Sequence, residues 1–278
     1  MNQIERVTGQ NEQSWSIATD SYGRLIINAD DWGRDRQTTE RIYDCVRAGA
    51  VSSVSAMVFM EDSAHSAQLA LEYGVDAGLH LNFTSPFTSS TASTTLAQHQ
   101  GRIARFLRRS KWAPALFHPG LVGAFEYVVR AQIEEYRRLF GHPPDRIDGH
   151  HHMHLCANVV RARLLPSGVA VRRNFSFQPG DKSFVNRSYR QWQDRALARR
   201  HPLTHYFYSL PPLEPRSRVE RIFALAKSAV VEAETHPVHP AEYQFLMSGE
   251  VRQLTSGIPI ATRFVTPYSY TLKGVNPQ

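Results

Sequence analysis

Short apolar, β-branched runs alternate along the chain with longer segments of helical periodicity. The runs predict strands at 25–29, 54–58, 75–82, 146–151, 169–172, 205–209, 230–236 and 259–264. The segments between them predict helices at 35–49, 62–73, 101–111, 123–141, 156–165, 188–200, 217–227 and 240–254. Repeated strand–helix units build a parallel sheet, and this many units in one chain predict an open or closed (β/α) barrel.

Two segments depart from this alternation. Residues 84–95, TSPFTSSTASTT, are rich in Ser and Thr and follow the third strand, so they predict a long loop that could cover a site. Residues 1–20 are polar and lack the apolar core of a signal peptide, so they predict a flexible tail. The remaining residues, 21–278, contain no linker and predict a single domain.

The composition is that of a globular protein. With 278 residues, 42% hydrophobic and 21% charged, the chain is neither disordered, collagen-like nor a coiled coil. No window approaches the roughly 18 apolar residues that a membrane span needs. Cys45 and Cys156 are too few for a disulfide framework, so we expect two buried, reduced thiols in a cytoplasmic protein.

The charge balance narrows the possible partners. A net charge of +7 and a pI near 9.6 are compatible with nucleic acid, a phosphorylated carrier or a membrane surface. Much of the excess is arginine on predicted helix faces, at 102–111 and 136–141, without a known nucleic-acid motif. Nucleic-acid binding is therefore not favoured.

Paired acidic residues end the first predicted strand, in the sequence NADDWG. Asp30 and Asp31 are adjacent, and two carboxylates that repel one another are costly to bury. Such a pair of carboxylates usually binds a cation or takes part in a proton transfer. The alternative is a helix N-cap, in which Asp31 or Asp35 accepts backbone hydrogen bonds.

Histidines follow at the ends of later strands. His80 lies in GLHLN, and the sequence DGHHHMH begins at Asp148. If this second segment is extended, Asp148, His150 and His152 face one side and His151 faces the other. Imidazoles from two strands and a carboxylate from a third form the facial arrangement that binds a divalent metal. The alternative is a structural or pH-responsive histidine patch.

Two further residues are candidates for the same site. His236, which precedes a proline, has a side chain suited to a general acid near neutral pH. Arg172 ends the sequence VAVR and could steer a carboxylate or orient a catalytic Asp. Six candidates follow predicted parallel strands and therefore share one rim of a barrel: Asp30, Asp31, His80, His150, Arg172 and His236. This placement predicts a catalytic metal site.

These motifs resemble those of the YdjC-like carbohydrate deacetylases, a family that includes the chitooligosaccharide deacetylases. The resemblance rests on LIINADDWG, SSVSAMV, GLHLN, RIDGHHHMH and VEAETHP, in the family's order and approximate spacing, between Leu25 and Phe264. It implies an α/β fold, a distorted (β/α) barrel related to the polysaccharide deacetylases. It also implies hydrolysis of an N-acetyl group from an amino sugar or its conjugate, with release of acetate.

The resemblance also assigns roles to individual residues. By their positions in the motifs, Asp31, His80 and His150 match the family's ligands for one divalent metal ion, magnesium or zinc. Asp30 matches the proposed base and His236 the proposed acid. The family resemblance further makes a homodimer plausible.

The chain departs from the family pattern at a few positions. Trp32 stands where the family usually has Phe, Gly149 where it usually has Ser, and Val238 where Gly is common. The loop at 84–95 does not match the chitooligosaccharide enzymes. These departures concern the substrate rather than the chemistry, and Trp32 could either stack on a sugar or pack beneath the metal.

Two other function classes remain as alternatives. A metal-dependent phosphoesterase also uses Asp and His clusters, but here only one ligand set is well formed and the basic surplus lies away from the motifs. A catalytically silent sugar-binding protein on the same scaffold would need neither a base nor an acid, whereas Asp30 and His236 are both present.

Overall fold

Seven parallel strands form one sheet in the residues that this computed structural model describes, which are 23–177 and 183–267. The strands are β1 (Arg24–Trp32), β2 (Ser53–Ala56), β3 (Ala77–Leu81), β4 (Arg146–Gly149), β5 (Ala170–Val171), β6 (Tyr206–Ser209) and β7 (Val230–Thr235). Their order across the sheet is β5-β4-β3-β2-β1-β7-β6. The predicted tail at 1–20 lies outside the described residues.

Helices connect the strands. In the described ranges they are α1 (Arg36–Arg47), α2 (Ser63–Tyr73), α3 (Thr94–Arg108), α4 (Val122–Phe140), α5 (Ala157–Arg161), α6 (Phe184–Ala198), α7 (Arg216–Leu225), α8 (Pro240–Met247) and α9 (Glu250–Leu254). Short 3₁₀ turns occupy Ala113–Ala115, Pro119–Leu121 and His150–Leu155. None of these helices is long and apolar enough to cross a membrane.

The outermost strands, β5 and β6, are joined through the segments beside them. The Val171 N–H donates to the Pro202 carbonyl at 3.0 Å, and the Ser176 N–H donates to the Phe207 carbonyl at 2.7 Å. Because β5 has only two residues, this closure is irregular rather than a regular ladder. The distorted α/β barrel predicted from the sequence is confirmed.

Two predicted elements differ in the structure. Residues 259–264 do not form a strand, because they reach the sheet only through a single bridge between Leu25 and Ile260. The predicted helix at 240–254 is divided into α8 and α9. The division falls at Gly249, whose φ of 78° lies in the left-handed region and cannot continue a right-handed helix.

The Ser/Thr-rich loop is shorter than predicted, because α3 begins at Thr94 rather than near residue 101. The Ser93 hydroxyl accepts a hydrogen bond from the Leu96 N–H and so caps the helix. Composition gave no sign of this start, since the same Ser and Thr residues that favour loops also favour N-caps.

The core lies between the sheet and its helices. β1 is buried along eight of its nine residues, as expected for a strand covered on both faces. The predicted apolar side of α4 is confirmed, with Phe125, Val128 and Tyr136 each fully buried. Cys45 and Cys156 are buried and free, as expected from the sequence.

Candidate metal and catalytic site

Side chains from the carboxyl ends of several strands meet inside the barrel. Asp30 and Asp31 come from β1, His80 from β3 and His150 directly follows β4, and all four residues are buried. Parallel strands share this end, which explains why residues far apart in sequence lie together.

A bulge in β1 allows two adjacent carboxylates to reach the same place. Neighbouring side chains normally point to opposite faces of a strand. The pairing with β2 shifts register between Ala29 and Trp32, and Asp31 has a left-handed φ of 71°. As a result, the carboxylates of Asp30 and Asp31 lie 4.0 Å and 3.4 Å from the same His80 Nε2.

Asp31, His80 and His150 form a group that fits a metal ion. Asp31 Oδ1 lies 2.9 Å from His150 Nδ1 and 3.4 Å from His80 Nε2. This oxygen is buried, yet neither contact has hydrogen-bond geometry. Two imidazole nitrogens and a carboxylate oxygen thus converge without satisfying one another, and this donor set is typical of a divalent metal site.

Asp148 fixes the orientation of His80. The two residues are joined by a 2.7 Å hydrogen bond between His80 Nδ1 and Asp148 Oδ1, which leaves Nε2 directed at Asp31. A carboxylate behind a ligating histidine commonly sets its tautomer and ring position in this way. Burial alone would lower the pKa of His80, but Asp30 and Asp148 raise it to about 10. The surroundings therefore favour positive charge at this point.

The segment after β4 is not extended, so the expected alternation of its histidines is wrong. His151 and His152 have left-handed φ values of 54° and 57° within the turn His150–Leu155. The His151 ring lies 3.9 Å from the His150 ring, and His152 Nε2 lies 3.6 Å from Glu234 Oε1. Burial lowers the pKa of His151 to about 4 and that of His152 well below its usual value.

Arg172 forms an ion pair with Asp30. Its Nη1 and Nη2 donate to the two oxygens of Asp30 at 2.6 Å and 2.8 Å, which is a bidentate ion pair. Asn28 Nδ2 also donates to Asp30 Oδ1 at 2.8 Å. Burial alone would raise the pKa of Asp30, but Arg172 and then His80 lower it, so this carboxylate is ionised at neutral pH.

Three further carboxylates surround Arg172, and none of them was among the six site candidates named from the sequence. Asp148 Oδ2 lies 3.0 Å from Nη2, Glu232 Oε1 lies 2.7 Å from Nε, and Glu234 Oε2 lies 3.5 Å from Nη1. Burial raises the pKa of Glu232 to about 7 and that of Glu234 well above its usual value. The available signal was Glu232 and Glu234 at alternate positions of an otherwise apolar strand.

Two of the predicted residues lie elsewhere. The Trp32 side chain is fully buried, and its Nε1 donates to the Ser66 carbonyl at 3.1 Å. Trp32 therefore packs in the core, and the suggestion that it stacks on a sugar is wrong. Asp35, not Asp31, caps α1 by accepting from the Thr38 N–H at 2.8 Å.

His236 lies at the same end of the barrel but apart from the buried group. Its ring is 6.0 Å from the His239 ring, and its backbone N–H donates to Glu242 Oε2. Among the described residues, no hydrogen bond or ion pair joins the His236 ring to Asp30, Asp31 or His80.

A cleft of about 320 Å³ adjoins the buried group. His151 and His152 lie in its wall, together with Trp112, Phe175 and Tyr189. The Phe175 ring also contacts the His152 ring, at 4.5 Å between centroids. This cleft can bring a substrate of moderate size beside the histidines that follow β4.

Comparison with known proteins gives a consistent family. A family model described as "YdjC-like protein" matches residues 24–256. The chain is 31% identical over 163 residues to a carbohydrate deacetylase from Danio rerio, which covers 56% of this chain and 51% of that protein. It is 33% identical over 138 residues to a chitooligosaccharide deacetylase from Yersinia pestis, with coverage of 49% and 52%. The chain thus spans about half the length of the curated relatives it matches.

A solved structure shares the fold. A crystal structure from Enterococcus faecalis, of a protein provisionally named for cellobiose-phosphate cleavage, matches with a TM-score of 0.60 and 17% sequence identity. The match covers 86% of this chain and 97% of that protein. At this level of identity the likeness concerns the architecture alone.

Proposed function

The chain belongs to the YdjC-like protein family, and from this premise we propose that it is a metal-dependent carbohydrate N-deacetylase. Its substrate would be an N-acetylated amino sugar or a conjugate of one, and its products would be acetate and the free amine. One observation carries this proposal: Asp31, His80 and His150 converge on a point beside an ionised Asp30 that Arg172 clamps. The names of the two deacetylase relatives support the substrate class.

The donor set fits one divalent ion, magnesium or zinc, held by Asp31, His80 and His150. A divalent ion bound there would lower the pKa of a water molecule and polarise the acetyl carbonyl. The unsatisfied Asp31 Oδ1 and the support of His80 by Asp148 are what suit these residues to the task.

Asp30 accepts the proton of the attacking water in this mechanism. An amide is a poor electrophile, so its hydrolysis needs a base that is already ionised and correctly oriented. The two hydrogen bonds from Arg172 and the one from Asn28 fix the carboxylate and keep it ionised. Arg172 thus acts through Asp30 as a positioning residue.

His236 is the proposed proton donor to the departing amine. Its place after β7, at the barrel end that carries the other candidates, supports this role. His152 offers a comparison, because it lies in the cleft wall beside Glu234. If His236 is the acid, His236→Gln lowers kcat far more than His152→Gln does.

Three wider assignments belong to the same proposal. A single domain over 21–278 is supported by the core that the described elements share. A cytoplasmic location is supported by the two free, buried thiols. The family resemblance alone supports a homodimer, and light scattering on the purified protein measures its mass directly.

Acetate release tests the function. The substrates are chitooligosaccharides and nucleotide-linked N-acetylglucosamine, and the protein is used metal-stripped and metal-restored. We expect release only with metal and only with Asp30 intact. Asp35→Asn is the matched control, because this neighbouring acid caps α1 and Asn caps equally well. Stoichiometric metal binding without acetate release from any substrate would overturn the proposal, and phosphate esters would then be tested.

A further inference from the structure

Three neighbouring segments carry an unbalanced positive charge, and together we call them the basic face: 101–116, 157–165 and 183–201. α3 contacts the turn Ala113–Ala115, this turn contacts α5, and α5 and α6 line a common groove. The three segments contain twelve of the 32 Lys and Arg residues but only one of the 25 Asp and Glu residues. Their formal charge is +11, whereas that of the whole protein is +7.

The charges of the basic face have no acidic partner within the part of the chain that the structure describes. Among the described residues, none of these twelve Lys and Arg side chains forms an ion pair, in contrast to Arg34, Arg146 and Arg172. Nine of the twelve are exposed and the other three are half-buried. The basic face is therefore free to attract an anionic partner.

The same face exposes unusually large apolar side chains. Six of the eleven large hydrophobic residues that the described part of the chain exposes lie on it: Trp112, Leu116, Phe184, Val185, Tyr189 and Trp192. Phe184 and Val185 are 75% and 76% exposed, and Trp112 and Trp192 are 67% and 64% exposed. In the arginine-rich stretch of α3 the one aromatic residue, Phe106, is buried, and exposed aromatic side chains come instead from Trp112 and from α6.

A groove runs between α5 and α6 on this face. Its volume is about 840 Å³, and apolar side chains such as Val159, Leu197 and Trp192 line it. Arg161 and Arg199 also line the groove. Apolar walls bordered by guanidinium groups match a partner that is apolar inside and anionic at its surface.

We propose that the basic face docks on an anionic lipid membrane. Basic residues are attracted to the negative surface of such a membrane, while Trp, Tyr and Phe side chains enter the interfacial layer. A nucleic acid or a glycan would satisfy the arginines and the aromatic rings, but it offers little to Leu116 and Val185. A second copy of the chain would bring a second face of formal charge +11 against the first, so electrostatic repulsion disfavours self-association through this face.

Docking in this way would place the catalytic cleft at the membrane. Lys111, Trp112 and Tyr189 of the basic face line the cleft whose wall contains His151 and His152. A sugar presented at the bilayer surface would then enter the cleft directly. The docking itself does not depend on the proposed function, so either can fail without the other.

Vesicle binding tests the proposal. The full chain is sedimented with vesicles of phosphatidylcholine alone and with vesicles that also contain phosphatidylglycerol. We expect binding only to the anionic vesicles, with loss at high salt. The triple substitution Arg161→Gln, Arg163→Gln, Arg199→Gln should weaken binding about 100-fold, because each surface Lys or Arg contributes roughly a factor of five.

A matched triple substitution controls for net charge. Arg47→Gln, Arg252→Gln and Arg263→Gln remove the same charge from exposed positions outside the basic face. The control should retain binding within a few-fold, and thermal melts of both triple variants should match the wild type. Equal loss in the control, or no binding to anionic vesicles by a folded wild type, would overturn the proposal.

Quenching by brominated lipids tests whether the apolar side chains enter the bilayer. Trp32 is buried, whereas Trp112 and Trp192 are exposed on the proposed face. Anionic vesicles with brominated chains should quench the wild type, and the double substitution Trp112→Phe, Trp192→Phe should lose most of this quenching. Two results would contradict the proposal. In the first, the double variant binds vesicles and is quenched as strongly as the wild type. In the second, the wild type does not bind vesicles but forms a dimer, which Trp192→Ser converts to a monomer.

Discussion

The two most highly charged regions of the molecule use charge in opposite ways. Around Arg172, four carboxylates and one guanidinium are buried together, and each carboxylate lies within 3.5 Å of a guanidinium nitrogen. On the basic face, twelve cationic side chains have no carboxylate partner among the described residues. The basic face leaves the rest of the protein with a formal charge of −4.

The difference follows from the cost of burial. A buried charge without a partner is very unfavourable, so the network around Arg172 must neutralise itself or bind an ion. An exposed charge in water costs little and can remain available to an external partner. We therefore expect substitutions in the two regions to have effects of very different size.

Arg172→Gln should produce the largest effect. Removing the guanidinium leaves Asp30, Asp148, Glu232 and Glu234 buried without their shared cation, which should lower the free energy of unfolding by about 3–5 kcal/mol. Urea denaturation measures this quantity. Arg199→Gln, on the basic face, should change it by less than about 0.5 kcal/mol. Similar losses in the two variants would remove the contrast between the regions.

Metal removal should have the next largest effect. A ligand that binds only the folded state stabilises it by about 2.7 kcal/mol at a concentration 100 times its dissociation constant. Denaturation with metal and with chelator should therefore differ by this order in the wild type. The difference should vanish in His80→Ala, because one of the three converging donors is lost. A persistent metal effect in that variant would mean that the ion binds elsewhere.

Asp148→Asn should have a smaller effect than metal removal, and it tests whether Asp148 orients His80 for metal binding. The substitution keeps the shape of the side chain but weakens its hold on His80 Nδ1, so metal affinity should fall about 10–100-fold. Calorimetric titration measures the affinity, and Asp35→Asn serves as the control. An unchanged affinity would show that His80 is oriented by packing alone.

The sequence predicted the placement of the site better than its internal geometry. The alternation of strands and helices predicted a parallel sheet, and the carboxyl ends of parallel strands lie at the same end of a barrel. The structure places Asp30, Asp31, His80 and His150 together at that end. The left-handed turn at His151 and His152 could not be read from three consecutive histidines, since it depends on tertiary packing after Gly149.

Local sequence patterns also could not predict which of the candidate side chains are buried and what surrounds them. Trp32, which stands where the family usually has Phe, was a candidate either for sugar stacking or for packing beneath the metal, yet its environment is set by α2, more than 30 positions away. Arg172 was expected to orient an Asp, and its bidentate contact with Asp30 agrees with that hypothesis. Its three other carboxylate partners come from β4 and β7, and the fold was needed to identify them.

The most direct test of the central claim measures metal affinity and acetate release on the same preparations of Asp30→Asn and His80→Ala. Asp30→Asn should retain metal with affinity near that of the wild type, while its turnover should fall about 10²–10⁴-fold. His80→Ala should lose metal and activity together. Near-wild-type turnover in metal-loaded Asp30→Asn, or undiminished metal affinity in His80→Ala, would contradict the separation of base and metal site.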